Sequence, residues 1–382
     1  MNRRALLKTA IMAGPAAGPF LLRGQSGTRT FAYVGCYTTE QRHGRGDGIQ
    51  VYSIDPATGG LSAIQTVGDL VNPSFLITSR DQHCLYAVHG DGHFATSFRI
   101  DPISGKLTRL NTGETGGTNG VHQALSANGK FLVVANYGSG TVAVLPVRSN
   151  GELDDQIQLV RLEGDPGPHW VEQTASHPHH VVFDPSGRFV LVPDKGLDRV
   201  FIFRFDQESG HLSPTEQVSA QSRAGAGPRH LAFHPTLPVI WVLNELNSTT
   251  VTYSWDASAG SLKPLQILPT LPSDFTGASS GAEICIGPNN RFVYCSNRGH
   301  DSIVIYAVNS RTGLLSPAGW APSGGRIPRF IGFEPARRFL YSANEQGDTV
   351  TTFRVNPATG SLSPAGPPVP NKSAVTVAFA RF

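Results

Sequence analysis

His180-Val181-Val182-Phe183, Asp184-Pro185-Ser186-Gly187, Phe189-Val190-Leu191-Val192, Lys195-Gly196-Leu197-Asp198, Val200-Phe201-Ile202-Phe203: three runs rich in β-branched and aromatic residues, parted by a polar turn and a short loop, and followed by Gly210-His211-Leu212. Runs of this kind bounded by Gly, Pro, Asp and Asn read as strands. Corresponding pieces recur as Phe75-Leu76-Ile77 with Leu85-Tyr86-Ala87-Val88, as Leu231-Ala232-Phe233 with Ile240-Trp241-Val242-Leu243, and as Phe330-Ile331-Gly332-Phe333 with Phe339-Leu340-Tyr341-Ser342. A Gly-x-Leu step recurs seven times at near-regular spacing, at Leu61, Leu107, Leu153, Leu212, Leu262, Leu315 and Leu362. Successive gaps are 46, 46, 59, 50, 53 and 47 residues, the period of a repeat array. The step is expected to lead each unit into a fourth, outer strand. The fold class is therefore all-β: a seven-bladed β-propeller of four-stranded antiparallel blades.

The chain ends agree. The first unit opens on a second strand, Phe31 to Cys36, with no innermost strand before it. The last unit leaves a spare apolar run, Ala374 to Phe379, which is expected to complete the first blade and close the ring, removing free sheet edges. No segment carries sustained helical periodicity, and 42 Gly and 28 Pro among 382 residues favour turns. Residues 28–382 are read as one propeller domain and residues 1–27 as a leader.

That leader begins Met1-Asn2-Arg3-Arg4-Ala5-Leu6-Leu7-Lys8 and continues through the small-residue segment Ala13-Gly14-Pro15-Ala16-Ala17. Paired arginines before a modest apolar stretch resemble a twin-arginine export signal, so a periplasmic or extracellular location is expected; a basic tail is the alternative. Lys8 and Pro15 interrupt the apolar run, which is too short for a membrane span. The chain has 31 basic and 28 acidic residues, and removing Arg3, Arg4 and Lys8 brings the two into balance. The propeller itself has no basic stripe or run, which argues against a nucleic-acid partner. Four cysteines, Cys36, Cys84, Cys285 and Cys295, lack the paired spacing of a zinc site. Cys285 and Cys295 lie on consecutive strands, about three positions out of register if the turn falls at Pro288-Asn289, and are expected to be buried thiols.

Strand parity maps the site. In an up-and-down blade, the start of every innermost strand and the end of every second strand share one end of the ring. Innermost strands begin at Asn72-Pro73, Val121-His122, His177-Pro178-His179-His180, Gly227-Pro228-Arg229-His230, Gly281-Ala282-Glu283 and Ile327-Pro328-Arg329. Second strands end at Asn136-Tyr137, Asp194-Lys195, Asn244-Glu245, Asn297-Arg298 and Asn344-Glu345. Acid/base groups and anion-holding cations thus converge on the axial mouth. Two Pro-Arg steps in equivalent positions present guanidinium groups there, either for function or because the repeat imposes them. His177-x-His179 could be a metal pair, but no motif supplies a third ligand, and proton transfer is the stronger reading. The long gap before Leu212 holds Gly164 to Gln173 at the same end, as a lid, a pocket wall or an outer-edge excursion.

His177-Pro178-His179-His180 leading into Val181 to Pro185, Pro193 to Val200, Gly227-Pro228-Arg229-His230, Asn244-Glu245-Leu246 and Pro328-Arg329 together resemble the seven-bladed lactonase family, which holds propeller-type 6-phosphogluconolactonases and carboxymuconate-lactonizing enzymes. The resemblance runs from about Phe31 to Phe379. It implies a metal-independent site with no cofactor, formed by His177 or His179, Arg229, Glu245 and Arg329, acting on a small lactone. By parity, His122, Asp194, Glu283, Arg298 and Glu345 are further candidates for substrate binding. Lactone opening needs an activated water and a stabilised oxyanion, with His179 or Glu245 as base and Arg229 and Arg329 holding an anionic group and polarising the carbonyl. Run in reverse, the same groups would close a lactone. Export sets this chain apart from an enzyme of intracellular phosphorylated lactones, so an unphosphorylated sugar lactone is favoured. A non-catalytic exported propeller binding carbohydrate or protein is the reading from another class.

Overall fold

In the computed structural model, which describes residues 28–382, seven sheets of antiparallel strands stand in a ring. The first blade takes its innermost strand, Ala374–Arg381, from the C-terminus and pairs it with Thr30–Cys36. The expected closure is therefore present, and its strand runs two residues past Phe379. The leader lies outside the described residues.

Second strands are buried on both faces, as in Phe189–Asp194. Alternate residues of such a strand point to opposite sides. Val190 and Val192 accordingly pack toward the third blade with Val133 and Val144, while Phe189 and Leu191 pack toward the fifth with Ile240 and Val242. Seven apolar clusters arise among the described residues, one between each pair of neighbouring blades.

The Gly-x-Leu step is the device that docks one blade on the next. Gly210, at φ +76°, faces the Phe131 ring of the preceding blade so closely that a Cβ would lie 2.4 Å from it; Gly260 meets Phe189 and Gly360 meets Phe292 in the same way. A side chain there would both strain the backbone and displace the ring. The following leucine is clasped through its main chain: Gln158 Nε2 donates to Leu212 O while Leu212 N donates to Gln158 Oε1, at 2.9 and 2.7 Å. Gln65 holds Leu107, Gln217 holds Leu262 and Gln266 holds Leu315 by the same reciprocal pair.

Three local expectations need correction. Leu153 does not begin an outer strand; it makes one bridge to Val147, and the strand starts later at Gln158–Arg161. The innermost strand of the fourth blade is only Val182–Phe183, because the segment before it is irregular. Cys285 sits opposite Tyr294 and Cys295 opposite Ile284, an offset of one residue rather than three, because Pro288–Asn290 forms a short 3-10 turn. All four thiols are free.

Candidate active site

At the mouth, each blade departs from regular pairing by one residue. Register slips between Pro73 and Phe75, Gly120 and His122, Pro228 and His230, Gly281 and Ile284, and Pro328 and Phe330 on the innermost strands. The fourth blade slips between the Pro178–Asp194 bridge and the Val182–Leu191 pair, and the closing strand slips opposite Gly35 and Cys36. A β-bulge re-aims the extra side chain. The axial cavity is lined by one such residue from every blade, Ser74, Val121, His179, Arg229, Glu283, Arg329 and Val375, together with Tyr37, Phe75 and His230. Strain accompanies this arrangement at Ile327, a β-branched residue at φ +57° just before Pro328-Arg329. Asp301 Oδ1 holds its N–H at 2.8 Å, and its carbonyl accepts from Glu345 N.

Glu245 is the hub of the charges. Its Oε1 lies 3.3 Å from Lys195 Nζ, and its Oε2 lies 2.9 Å from Arg229 Nε and 3.1 Å from Arg298 Nη2. The Arg229 Nε–H is not aimed along that contact, so charge rather than a directed hydrogen bond holds the pair. Lys195 also reaches Glu172 at 2.6 Å, and Arg329 pairs with Glu345 at 3.4 Å. Burial opposes ionisation of Glu245, but Arg298, Lys195, Arg229 and Arg329 outweigh it and hold the carboxyl well below its ordinary value. Arg229 donates through Nη1 to the Ala282 carbonyl.

A second set is a chain of two imidazoles and a carboxyl. His179 Nδ1 lies 3.2 Å from His230 Nε2, and His230 Nδ1 lies 2.7 Å from Glu283 Oε1. All three residues are buried. Burial, followed by the Arg229 charge and its neighbours, pushes both imidazoles well below their ordinary value, so they are neutral. Burial pushes the Glu283 carboxyl up to about 7. Beneath this set, His180 stacks on His230 at 4.5 Å, and His122 packs between His180 and Phe75.

The chain that builds this ring matches a family model over nearly all of its described length. The lactonase family, described as a seven-bladed β-propeller, covers residues 31–379. This chain belongs to that family. The lactonase is 33% identical over 311 residues to the 6-phosphogluconolactonase of Bacillus subtilis, covering 81% of this chain and 86% of that protein. A 6-phosphogluconolactonase of Pectobacterium carotovorum is 32% identical over 269 residues, covering 70% of this chain and 76% of that one. The solved periplasmic gluconolactonase of Pseudomonas aeruginosa superposes with a TM-score of 0.85 at 30% identity, covering 92% of this chain and 99% of that one.

Among the residues singled out from the lactonase sequence, His179, Arg229, Glu283 and Arg329 line the cavity, and Glu245, Arg298 and Glu345 stand behind the arginines. His177 lies outside the lining, its ring stacked on Tyr137 at 4.4 Å. Asp194 is buried and accepts from Ser176 Oγ and the amides of His177, Gly196 and Leu197, so its carboxylate is engaged by the neighbouring loops rather than lining the cavity. His122 lies below the lining. The insertion packs on Lys195 without entering the cavity lining: Gln173 donates to Lys195 O at 2.8 Å, and Glu172 pairs with Lys195. Strand parity does not mark Tyr37, and it brings Lys195 and His230 to the mouth only as sequence neighbours of Asp194 and Arg229. Among the described residues, no group of three or more His, Cys, Asp or Glu side chains is arranged to hold a metal ion, and no helix is long and apolar enough to cross a membrane.

Proposed function

We propose that the axial cavity hydrolyses an unphosphorylated sugar lactone, with His179 as the base that activates water. Arg229 and Arg329 polarise the lactone carbonyl and hold the oxyanion. The relatives named for 6-phosphogluconolactone and gluconolactone hydrolysis support lactone chemistry. The observation that carries the substrate choice is charge balance: the four cations around the site, Lys195, Arg229, Arg298 and Arg329, face four carboxylates, those of Glu245, Glu345 and Glu172 and, when ionised, that of Glu283. With Glu283 ionised, a phosphate dianion would meet no surplus positive charge there, whereas a neutral ring exchanges only hydrogen bonds with water for hydrogen bonds with these groups. Between the two candidate bases, the surroundings favour His179. Glu245 is held ionised by its cations and is a weak proton acceptor, while the His179 imidazole is neutral and borders the cavity.

The test is hydrolysis of D-glucono-1,5-lactone against its 6-phosphate, followed by acid release and corrected for spontaneous opening. A kcat/KM at least about 10-fold higher for the neutral ring is expected, corresponding to ~1.4 kcal/mol. Preference for the phosphate overturns the substrate reading, and no turnover of either overturns the catalytic one. Chelator is expected to leave the rate unchanged. We further propose that residues 1–27 export the protein by the twin-arginine route; replacing Arg3 and Arg4 with Lys should retain it in the cytoplasm, and unchanged export would refute this.

A further inference from the structure

We infer that His230 and Glu283 form a buried proton relay behind His179, so that the proton taken from water is stored on a carboxylate rather than on an imidazole. The inference rests on the lactonase reading above for its kinetic consequence.

The site poses a problem for any histidine base. Once protonated, His179 would be a cation beside Arg229, Arg329 and Lys195, which already disfavour charge on its ring. A route that carries the proton away removes this penalty. His179 Nδ1 meets His230 Nε2 at 3.2 Å, and His230 Nδ1 meets Glu283 Oε1 at 2.7 Å, so three titratable groups from the fourth, fifth and sixth blades form a continuous chain.

The proton positions follow from donor and acceptor matching. With Glu283 ionised, His230 Nδ1–H donates to Glu283, His179 Nδ1–H donates to His230 Nε2, and His179 Nε2 keeps a lone pair. Water then gives its proton to His179 Nε2 as its oxygen bonds to the lactone carbonyl carbon. The Nδ1 proton of His179 passes to His230 Nε2, and the Nδ1 proton of His230 passes to Glu283 Oε1. Both rings remain neutral and have exchanged tautomers. When the ring C–O bond breaks, the same shifts in reverse return a proton through His179 Nε2 to the departing alkoxide. Atoms and charge balance, with a hydroxy acid as product.

The surroundings suit storage on Glu283. That carboxyl is faced by His230, His180 and Arg229 and by the thiols of Cys285 and Cys295, and its Oε1 also accepts from Ile284 N at 3.0 Å. His230 is faced by His179, His180 and His122, and by the charges of Arg229, Glu245, Arg329 and Arg298. His179 has Tyr137 edge-on at 5.6 Å besides its three cations. Burial raises Glu283 to about 7, which makes its proton nearly isoenergetic with one in neutral water.

Nitrogen-15 NMR of the imidazoles tests the relay without turnover. As Glu283 titrates, His179 and His230 should change tautomer together near neutral pH, and in Glu283→Gln they should keep one tautomer from about pH 5 to about pH 9. Kinetics on D-glucono-1,5-lactone give the second readout. The parent kcat should rise as the pH passes about 7, since the relay must start with Glu283 ionised; Glu283→Gln should lose this limb, with kcat about 10²-fold lower and KM within about threefold. Fixed tautomers in the parent, or a Glu283→Gln enzyme that keeps the parent's pH limb, overturn the relay. If that variant does not fold, the parent's tautomers decide alone. Coupled tautomer exchange in a protein that opens no lactone would refute the lactonase reading and leave the relay standing.

Discussion

Nε of Arg229 lies 2.9 Å from Oε2 of Glu245, with both side chains withdrawn from solvent. The contact sets the direction of the guanidinium, whose Nη1 is tied to the Ala282 carbonyl. Lysine at this position would keep the charge but not the planar fork. Arg229→Lys is expected to lower kcat/KM by about 10²–10³-fold, the cost of misplacing an oxyanion donor. Steady-state kinetics check this, and near-parental efficiency would show that Arg229 supplies charge alone.

Glu245→Gln separates the two candidate bases. It leaves Lys195, Arg229 and Arg298 without the carboxylate they share, so a loss of about 3–5 kcal/mol in unfolding free energy is expected. His179→Gln removes no charge; it should lower kcat by about 10²–10⁴-fold with a much smaller loss of stability. Denaturant titrations beside kinetics give the comparison. A Glu245→Gln protein as stable as the parent would dismiss the hub role.

Acid should destabilise the fold through the site's histidines. His122, His179, His180 and His230 are held below their ordinary value, chiefly by burial, so they stay neutral in the folded protein while the unfolded chain takes up protons below about pH 6.5. Their contribution is complete above that pH and is lost as the pH falls. Glu283 acts in the opposite sense: between its ordinary value of 4.5 and about 7 the folded state keeps a proton that the unfolded state has released, which offsets one histidine. Each net proton steepens the dependence by at most about 1.4 kcal/mol per pH unit. The urea midpoint is expected to fall clearly between about pH 7.5 and about pH 5.5. A flat profile would mean that these rings are not held neutral.

The contact of the insertion with Lys195 can be loosened selectively. Glu172 is 43% exposed in its side chain, so its ion pair with Lys195 adds little stability, and Glu172→Ala should cost less than about 1 kcal/mol. Its effect belongs in binding: KM should rise a few-fold while kcat changes less, because Lys195 keeps Glu245 as partner. A large fall in kcat with unchanged KM would instead put Glu172 in the chemistry.

The ring and the mouth were legible because both are written locally. Gly-x-Leu marks each unit since a glycine must sit against a side chain of the neighbouring blade, an aromatic ring at five of the seven steps, and the step fails as a strand marker only at Leu153, where the outer strand begins five residues later. Arg229 and Arg329 stood out because proline precedes each. What parity could not give was the bulge, since a one-residue slip leaves the apolar pattern of the strand intact. That slip turns His179 into the cavity while His177 stacks on Tyr137, and it brings His230 to Glu283 across 53 residues of chain. The ionisation of Glu245 was equally hidden, because it depends on four cations from four other segments.

Ring closure also decides how the molecule can be held. Arg29 and Phe382 exchange main-chain hydrogen bonds of 2.8 Å in both directions, and they do so at the foot of the first blade, where the closing strand ends. That strand begins at the mouth, so the described chain starts and finishes at the opposite face. A tether, affinity tag or solid support joined after Phe382 would orient every copy with its cavity facing outward, unobstructed. Because Arg29 and Phe382 already touch, in a chain without residues 1–27 a short linker could join them and the chain could be cut afresh in a loop on that lower face, giving a permuted enzyme whose mouth never meets a terminus.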